Sequence, residues 1–566
     1  MKVYNQIAQL INSKVKELPL DDIKEILEVP PNTDMGDFAF PCFRLAKVFR
    51  KAPNIIASEL AVGLKDEPML DNVEVVGGYL NLFVDKAYLA KNIFESFCDK
   101  DVDYGTSEDS KGKTVVLDYS SPNIAKQFHI GHLRTTVIGN ALAKIHTALG
   151  YKAVRVNHLG DWGTQFGKLI VAYKKWGSKD DIKSKGIDGL MELYIRFHDE
   201  AEKLDALNDE AREWFTKMEN GNEEALELWN WFKEISMVDF NRVYDLLGVD
   251  FDSFAGESFY NDKMQPVVDE LREKGLLEES EGANIVDLSD SDMPPVLITK
   301  KDGSSLYATR DLAASIYRKN TYNFDKCLYV TGLEQKLHFA QWFKVIEKMG
   351  YDWADQLHHI PYGLVSLKSG KLSTRKGQII LLEELLKEAI QRSEEVINDK
   401  NPNLENKEAI AKDIGIGAII FNDLYNNRIK DVIFSWDKVL NFDGETGPYV
   451  QYTHARASSL LRKGEYTELN KNIDVSKLTD EYTINVLKVV EKFPSKVREA
   501  ADKLEPSIIT RYIVDVAQAF NKFYHENPIL VDDVELKQAR LTIAYIVKNV
   551  IKNGLDLLGI NAPEKM

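Results

Sequence analysis

Two histidines, His129 and His132, are the first residues in this chain whose type and spacing suggest chemistry. They close the stretch Asp118-Tyr-Ser-Ser-Pro-Asn-Ile-Ala-Lys-Gln-Phe-His-Ile-Gly-His132, and Lys126 stands three residues before the first of them. If a helix begins there, its unpaired N–H groups and partial positive end suit a polyphosphate. Gly131 lacks a Cβ and lets a flat ring come close to the backbone. The plain alternative is a buried turn whose histidines are satisfied by hydrogen bonds. Further along the chain, Lys371-Leu-Ser-Thr-Arg-Lys-Gly377 gathers the cations Lys371, Arg375 and Lys376. Alone it reads as a solvated basic turn.

These residues need a scaffold, and the flanking sequence supplies one. The β-rich run Thr114 to Leu117 precedes the loop. Leu133, Val137, Ile138, Ala141, Ile145 and Leu149 then recur near period 3.6, the buried stripe of a helix. Gly150 supplies a helix stop and Ala153 to Val156 the next strand. A polar loop between strand and helix is the setting of a nucleotide site at the end of a parallel strand. In Asn157-His-Leu-Gly-Asp-Trp-Gly-Thr-Gln-Phe-Gly167, Gly160, Gly163 and Gly167 make a loop that runs close to a ligand or to other backbone. Later, Tyr307 and Asp311 share a helix face, four residues apart. Cys327 to Thr331 and His359 to Leu367 read as strands, and Gly332 to His338 opens a helix that runs to Met349.

The rest of the chain reads as support. Its 566 residues are 44% hydrophobic, enough for several cores, and the net charge of −17 argues against non-specific coating of nucleic acid. Cys42, Cys98 and Cys327 are far apart, so neither a zinc site nor a disulfide framework is suggested, and a reduced cytoplasm fits. No secretory leader is visible, and the longest apolar run, Ile414 to Phe421, is too short to span a bilayer. Residues 1–110 read as an α+β domain: Val73 to Val76 and Tyr79 to Val84 form a hairpin about Gly77-Gly78. On it, Tyr79, Asn81 and Phe83 could face a base or serve as packing. Residues 168–290 are mostly helical and charged, with Trp214, Trp229, Trp231 and Phe232 as anchors. Beyond residue 380 the pattern is helical almost throughout. One helix carries Tyr452, His454 and Arg456, and another carries Tyr512, Val516, Phe520 and Tyr524.

The segment Asp118–His132 resembles the HIGH signature of class I aminoacyl-tRNA synthetases, and the Asn157–Gly167 loop is similar to a signature of arginyl-tRNA synthetases. The resemblance extends over nearly the whole chain in that family's order. It implies a Rossmann-type (HUP-like) α/β parallel-sheet catalytic domain at 111–430, with its helical insertion at 168–290. An N-terminal α+β tRNA-contacting domain at 1–110 and an all-α anticodon-binding bundle at 431–566 would flank it. The Lys371–Gly377 loop is similar to the Lys-Met-Ser-Lys-Ser signature, with Thr374 where the phosphate-facing lysine belongs; Lys126 is the family's compensating cation.

By the same resemblance, His129, His132, Lys126, Lys371, Arg375 and Lys376 would act in catalysis. ATP would meet His129, Gly131, His132, Gly160, Asp161, Gly163, Gln165, Ser373 and the backbone at Leu364 and Val365. Arginine would meet Asp118, Ser121, Asn123, His129, Tyr307, Asp311 and Gln335. In that set Asp311 is the charge partner of the guanidinium, which needs fixed acceptors and a carboxylate. Asp118 stands where the family often has glutamate and would reach the guanidinium through a water. The implied activity is ATP·Mg²⁺-dependent arginine activation and transfer to tRNA(Arg), by a cytoplasmic monomer without zinc or a tightly bound cofactor. The alternatives are a class I synthetase for another amino acid, a non-catalytic tRNA-binding paralogue, or a small nucleotidyltransferase.

Overall fold

A computed structural model describes residues 2–30, 32–300, 307–367 and 380–566. The amphipathic start of the chain forms the helix Lys2–Lys14, which buries Val3, Ile7, Ala8 and Ile11. Next come β1 (Phe38–Pro41), β2 (Leu70–Val76) and β3 (Tyr79–Val84), an antiparallel sheet in the order β1-β3-β2. The hairpin turns at Gly77, whose φ of 62° favours glycine. In the central strand β3, Asn81 is buried, and Tyr79 is half-buried with its ring set edge-on against Phe43. That face packs; it is not an open platform for a base.

Two further strands, β4 (Thr114–Asp118) and β5 (Lys152–Val156), flank the helix Gly131–Ala148. A small antiparallel sheet of β6 (Glu278–Ser280), β7 (Ala283–Val286) and β8 (Val296–Thr299) follows, so the end of the region expected to be helical is β structure. With β9 (Lys326–Gly332) and β10 (Leu357–Tyr362) the main sheet is complete. Its order is β10-β9-β4-β5, all parallel. Alternation along β4 sets this sheet between two cores. Val115 and Leu117 face one shared with the helix Gly131–Ala148, and Val116 faces another with Leu312, Trp342 and Val345. The chain leaves β4 toward β5 on one side and later returns to β9 on the other. The crevice beyond the C-terminal ends of β4 and β9 is therefore the switch point where ligands bind in such sheets.

The expected single strand His359–Leu367 is two. β10 ends at Tyr362, and β11 (Val365–Leu367) pairs instead with β12 (Val432–Phe434). The break falls at Gly363, where a Cβ would lie 2.7 Å from both Asp431 Oδ1 and the Ile429 carbonyl.

The helices Thr164–Trp176, Ile187–Ala201, Ala206–Glu219 and Glu223–Leu247 build the insertion. Trp214 and Phe232 are buried in it, and Trp229 and Trp231 are half-buried. In the C-terminal bundle Tyr512, Val516 and Phe520 are core, while Tyr524 is half-buried at its edge. The buried pair Arg134–Asp423 (3.3 Å) ties the helix Lys407–Tyr425 to the helix Gly131–Ala148; Arg134 also donates to the carbonyls of Gly363 (2.9 Å) and Lys430 (2.8 Å). Among the described residues no helix is long and apolar enough to cross a membrane.

Candidate active site

Beyond Asp118 the chain must leave the sheet and turn into a helix within a short span, and it does so with strain. Ser120, Ser121 and Ala125 take φ of 70°, 49° and 58°, a region that side chains disfavour. Each is held by a bond to its N–H: Ser120 donates to Thr135 Oγ1 (3.0 Å), Ser121 to Asn157 Oδ1 (3.1 Å) and Ala125 to Ser236 Oγ (3.0 Å). The Tyr244 hydroxyl joins Ser120 Oγ (2.8 Å) and Asn157 Nδ2 (2.9 Å). Asn123 is exposed and lies across Gly160, with Ile124 N–H donating to the Gly160 carbonyl (3.1 Å). A Cβ on Gly160 would come within 2.1 Å of Asn123 Oδ1, so this glycine makes room for Asn123.

The helix Gly131–Ala148 begins directly under the two histidines. Gly131 N–H donates to His129 Nδ1 (3.1 Å), and His129 N–H donates to His132 Nδ1 (3.2 Å). Both Nδ1 atoms accept, so the hydrogen-bond network assigns the proton of each neutral ring to Nε2. Burial and then the charge of Lys126 hold the His129 imidazolium below its ordinary range. Burial, with His129 and Lys126 adding to it, pushes His132 down to about 3. The flat ring that Gly131 admits is the chain's own: a Cβ there would lie 2.7 Å from His129 Cε1. Phe128 stacks on His132 at 4.8 Å. Lys126 is exposed beside them. Lys371, Ser373, Thr374, Arg375 and Lys376 lie outside the described residues. The description resumes at Ile380, whose carbonyl accepts from Ile130 N–H (3.1 Å), and Leu382 N–H donates to Phe128 (2.9 Å).

On the far side of the crevice the helix Tyr307–Tyr322 presents Tyr307, Asp311 and Arg318 along one face. Tyr307 is 67% exposed and Arg318 only 1%, so this face runs from the mouth of the crevice to its floor. Asp311 Oδ2 meets His338 Nε2 at 2.6 Å. Asp118 is buried and already engaged: Arg318 Nη2 is 2.8 Å from Oδ2, and Ser121 Oγ donates to Oδ1 at 3.0 Å. Gln335 is exposed in the turn Leu333–Gln335 that follows β9. Glu257 lies 3.6 Å from Arg310; burial, opposed by Arg310, raises its carboxyl to about 7.

Three expected nucleotide contacts, Asp161, Leu364 and Val365, are placed otherwise. The Asp161 side chain has no exposed surface and accepts from Lys233 Nζ (2.6 Å), Ser258 Oγ (2.8 Å) and Ser258 N–H (2.8 Å). It braces the glycine loop against the insertion, because a fully buried and satisfied carboxylate has nothing left to offer a ligand. Leu364 commits its N–H to Asp431 (2.7 Å) and its carbonyl to Val432 N–H (2.8 Å). Val365 is buried, opposite Val432. Gly163, at φ 147°, and Gln165, which bonds the Trp162 carbonyl (3.4 Å), form the start of the helix Thr164–Trp176. Sequence reasoning assigned no role to Arg318, Glu257, His158 or His338, although His158 lies in the Asn157–Gly167 loop and His338 closes the Gln-x-x-His element that begins at Gln335. Arg318, two turns beyond Asp311, and His338, within Gln335-Lys-Leu-His338, carried a readable spacing; Glu257 carried none.

Three family descriptions match the chain in succession. They are the arginyl tRNA synthetase N-terminal domain over residues 5–84, the class I (R) tRNA synthetase catalytic domain over 95–436, and the DALR anticodon binding domain over 450–566. The chain is 57% identical over 561 residues to an arginine–tRNA ligase of Alkaliphilus metalliredigens, covering 99% of both chains. It is 57% identical over 560 residues, again 99% of both, to that of Clostridioides difficile. Thermus thermophilus arginyl-tRNA synthetase superimposes with a TM-score of 0.81 at 26% identity, over 95% of this chain and 96% of that one. The Plasmodium falciparum enzyme gives 0.79 at 25%, over 100% and 98%. With a catalytic domain, flanking domains and full-length relatives all of one kind, the chain belongs to the arginyl-tRNA synthetase family.

Proposed function

We propose that this protein is an arginine–tRNA ligase, using ATP·Mg²⁺ as co-substrate, and that Asp311 receives the arginine guanidinium. One observation carries the assignment of the pocket. Four carboxylates gather around it, and three have a fixed cation: Asp118 has Arg318, Asp161 has Lys233 and Glu257 has Arg310. Asp311 has only the His338 imidazole among the described residues. A permanent cation with five donors would satisfy it and gain most there.

In the first step a carboxylate oxygen of arginine attacks the α-phosphorus and pyrophosphate leaves, giving arginyl-adenylate. In the second, the 2′-hydroxyl of the terminal tRNA adenosine attacks the arginyl carbonyl and AMP leaves. His129 and His132 donate Nε2–H to phosphate oxygens without being charged, while Lys126 and the cations Lys371, Arg375 and Lys376 oppose the developing charge. Asn123 and His129 hold the α-carboxylate, Gln335 the α-amino group and Tyr307 the guanidinium, with Ser121 and Asp118 behind. Gly131, Gly160, Gly163, Gln165 and Ser373 line the nucleotide. In the bundle, Arg456 lies between Tyr452 (4.9 Å) and Tyr524 (5.1 Å), a surface on which unpaired anticodon bases could stack. His454, its neighbour, is buried and takes no part.

The units of this cytoplasmic enzyme are 1–110, 111–430 with its insertion at 168–290, and 431–566. The expected state is a monomer. The test is ATP–pyrophosphate exchange with arginine, with and without total tRNA. Exchange only with tRNA supports both the amino acid and a coupling of bundle to catalytic centre; exchange without tRNA keeps the first and removes the second. Folded protein that binds tRNA(Arg) but exchanges in neither case would be a non-catalytic binder.

A further inference from the structure

Arg318 is a buried cation at the floor of the crevice that the reaction above leaves without a part. Its side chain is 1% exposed, beneath the loop that carries Ser120, Ser121 and Asn123. Nη2 is 2.8 Å from Asp118 Oδ2 and 3.4 Å from His158 Nδ1. The guanidinium carbon lies 5.4 Å from the centre of the Tyr329 ring, and Tyr329 is the register partner of Asp118 across β4 and β9. The Tyr260 hydroxyl and the Cys327 thiol are near enough to feel its charge, yet Nε and Nη1 are buried with no acceptor in hydrogen-bonding geometry among the described residues. A buried cation so incompletely satisfied is a poor way to gain stability, since hydrophobic residues of the same volume often do as well.

We propose that Arg318 is a positioning residue: it draws the Asp118 carboxylate away from the incoming side chain and holds His158 as the Nε2–H tautomer. Arginine has donors and no acceptor, so a contact with His158 Nδ1 requires that nitrogen to carry the lone pair. His158 then has its one proton on Nε2, as His129 and His132 do. Asp118 divides its oxygens between Arg318 and Ser121 Oγ, and this also pins Ser121 at its left-handed φ of 49°. With Asp118 neutralised, the distinction between a charged guanidinium and its neutral urea isostere falls to Asp311. The inference rests on the arginine reading of the pocket for its kinetic consequence only; the tautomer is a property of the protein alone.

The test uses the full-length chain with ¹⁵N-labelled histidine, His158 being assigned through His158→Gln. In the wild type its side-chain nitrogens should report a neutral ring protonated at Nε2. Arg318→Met should lose that preference. It should raise the arginine KM about tenfold with the ATP KM within about twofold of wild type, a split that general loosening of the fold does not give. Asp118→Asn/Arg318→Met should recover part of the loss by removing the uncompensated carboxylate. If Arg318→Met does not fold, Arg318→Lys keeps a cation beside Asp118 but loses the planar fork and reach that bring an N–H to His158 Nδ1, and should shift the tautomer. A wild-type ring protonated at Nδ1 would overturn the proposal. So would a folded variant with both the Nε2–H ring and an unchanged arginine KM. Absence of arginine-dependent exchange in the wild type would instead count against the arginine reading, with the tautomer still deciding the role of Arg318.

Discussion

Asp311 and Glu257 stand close enough for each to feel the other's charge, and the two respond differently to substitution. Asp311→Asn keeps size and hydrogen bonding but removes the charge. The expected loss is about 2 kcal/mol of transition-state binding, about 30-fold in kcat/KM for arginine, with the ATP KM unmoved. An unchanged arginine kcat/KM would sink that assignment. Glu257 titrates at about 7, raised first by burial. As pH rises through that value it gains a negative charge beside Asp311, so arginine should bind more tightly. By reciprocity, the bound guanidinium should release part of a proton near neutral pH. Calorimetric titration in two buffers of different ionisation enthalpy would measure the release. Glu257→Gln should abolish it, and a proton count equal to wild type would show that another group titrates.

The helix Glu223–Leu247 is the element that supports most of the site. Trp229 and Lys233 hold Asp161, Ser236 holds Ala125, and Tyr244 holds Ser120 and Asn157. Lys233→Met leaves a fully buried carboxylate without its cation, a cost of roughly 3–5 kcal/mol. Adding Asp161→Asn should recover much of it. Thermal unfolding of the single and double variants decides this, and a melting temperature unchanged in Lys233→Met would contradict the brace. None of these ties was legible in the sequence, because no periodicity says which charge meets which across separate elements. What was legible is local. The strand, loop and helix around His129 follow from β propensity, a period of 3.6 and Gly150, and Tyr307 and Asp311 follow from one helical turn. Asp161 misled because glycine-rich neighbours look the same whether the loop approaches a ligand or another helix. Leu364 misled because a single apolar run spans two sheets, and only Gly363 marks the break.

At the scale of the whole chain, the C-terminal segment is tied into the bundle. His454 Nδ1 donates to the Pro563 carbonyl (2.9 Å) near the C-terminus, and its Nε2 is buried without a partner among the described residues. Burial pushes this imidazole from 6.5 down to about 4. Below about pH 6.5 the unfolded chain takes up a proton that the folded chain refuses, so stability falls with pH, by roughly 3 kcal/mol at pH 4 from this residue. Denaturant midpoints from pH 7 down to about 4 should therefore fall less steeply in His454→Gln, and identical slopes would contradict neutral burial. The net charge of −17 means that tRNA must be met by local patches, with strong dependence on salt. All of this serves one activity, and the most direct measurement is transfer of labelled amino acid to tRNA(Arg) by the full-length protein with ATP and Mg²⁺, each amino acid offered in turn. The expected result is label on the terminal adenosine with arginine and with no other amino acid. Charging with a different amino acid, or none while tRNA and ATP are bound, would contradict the account.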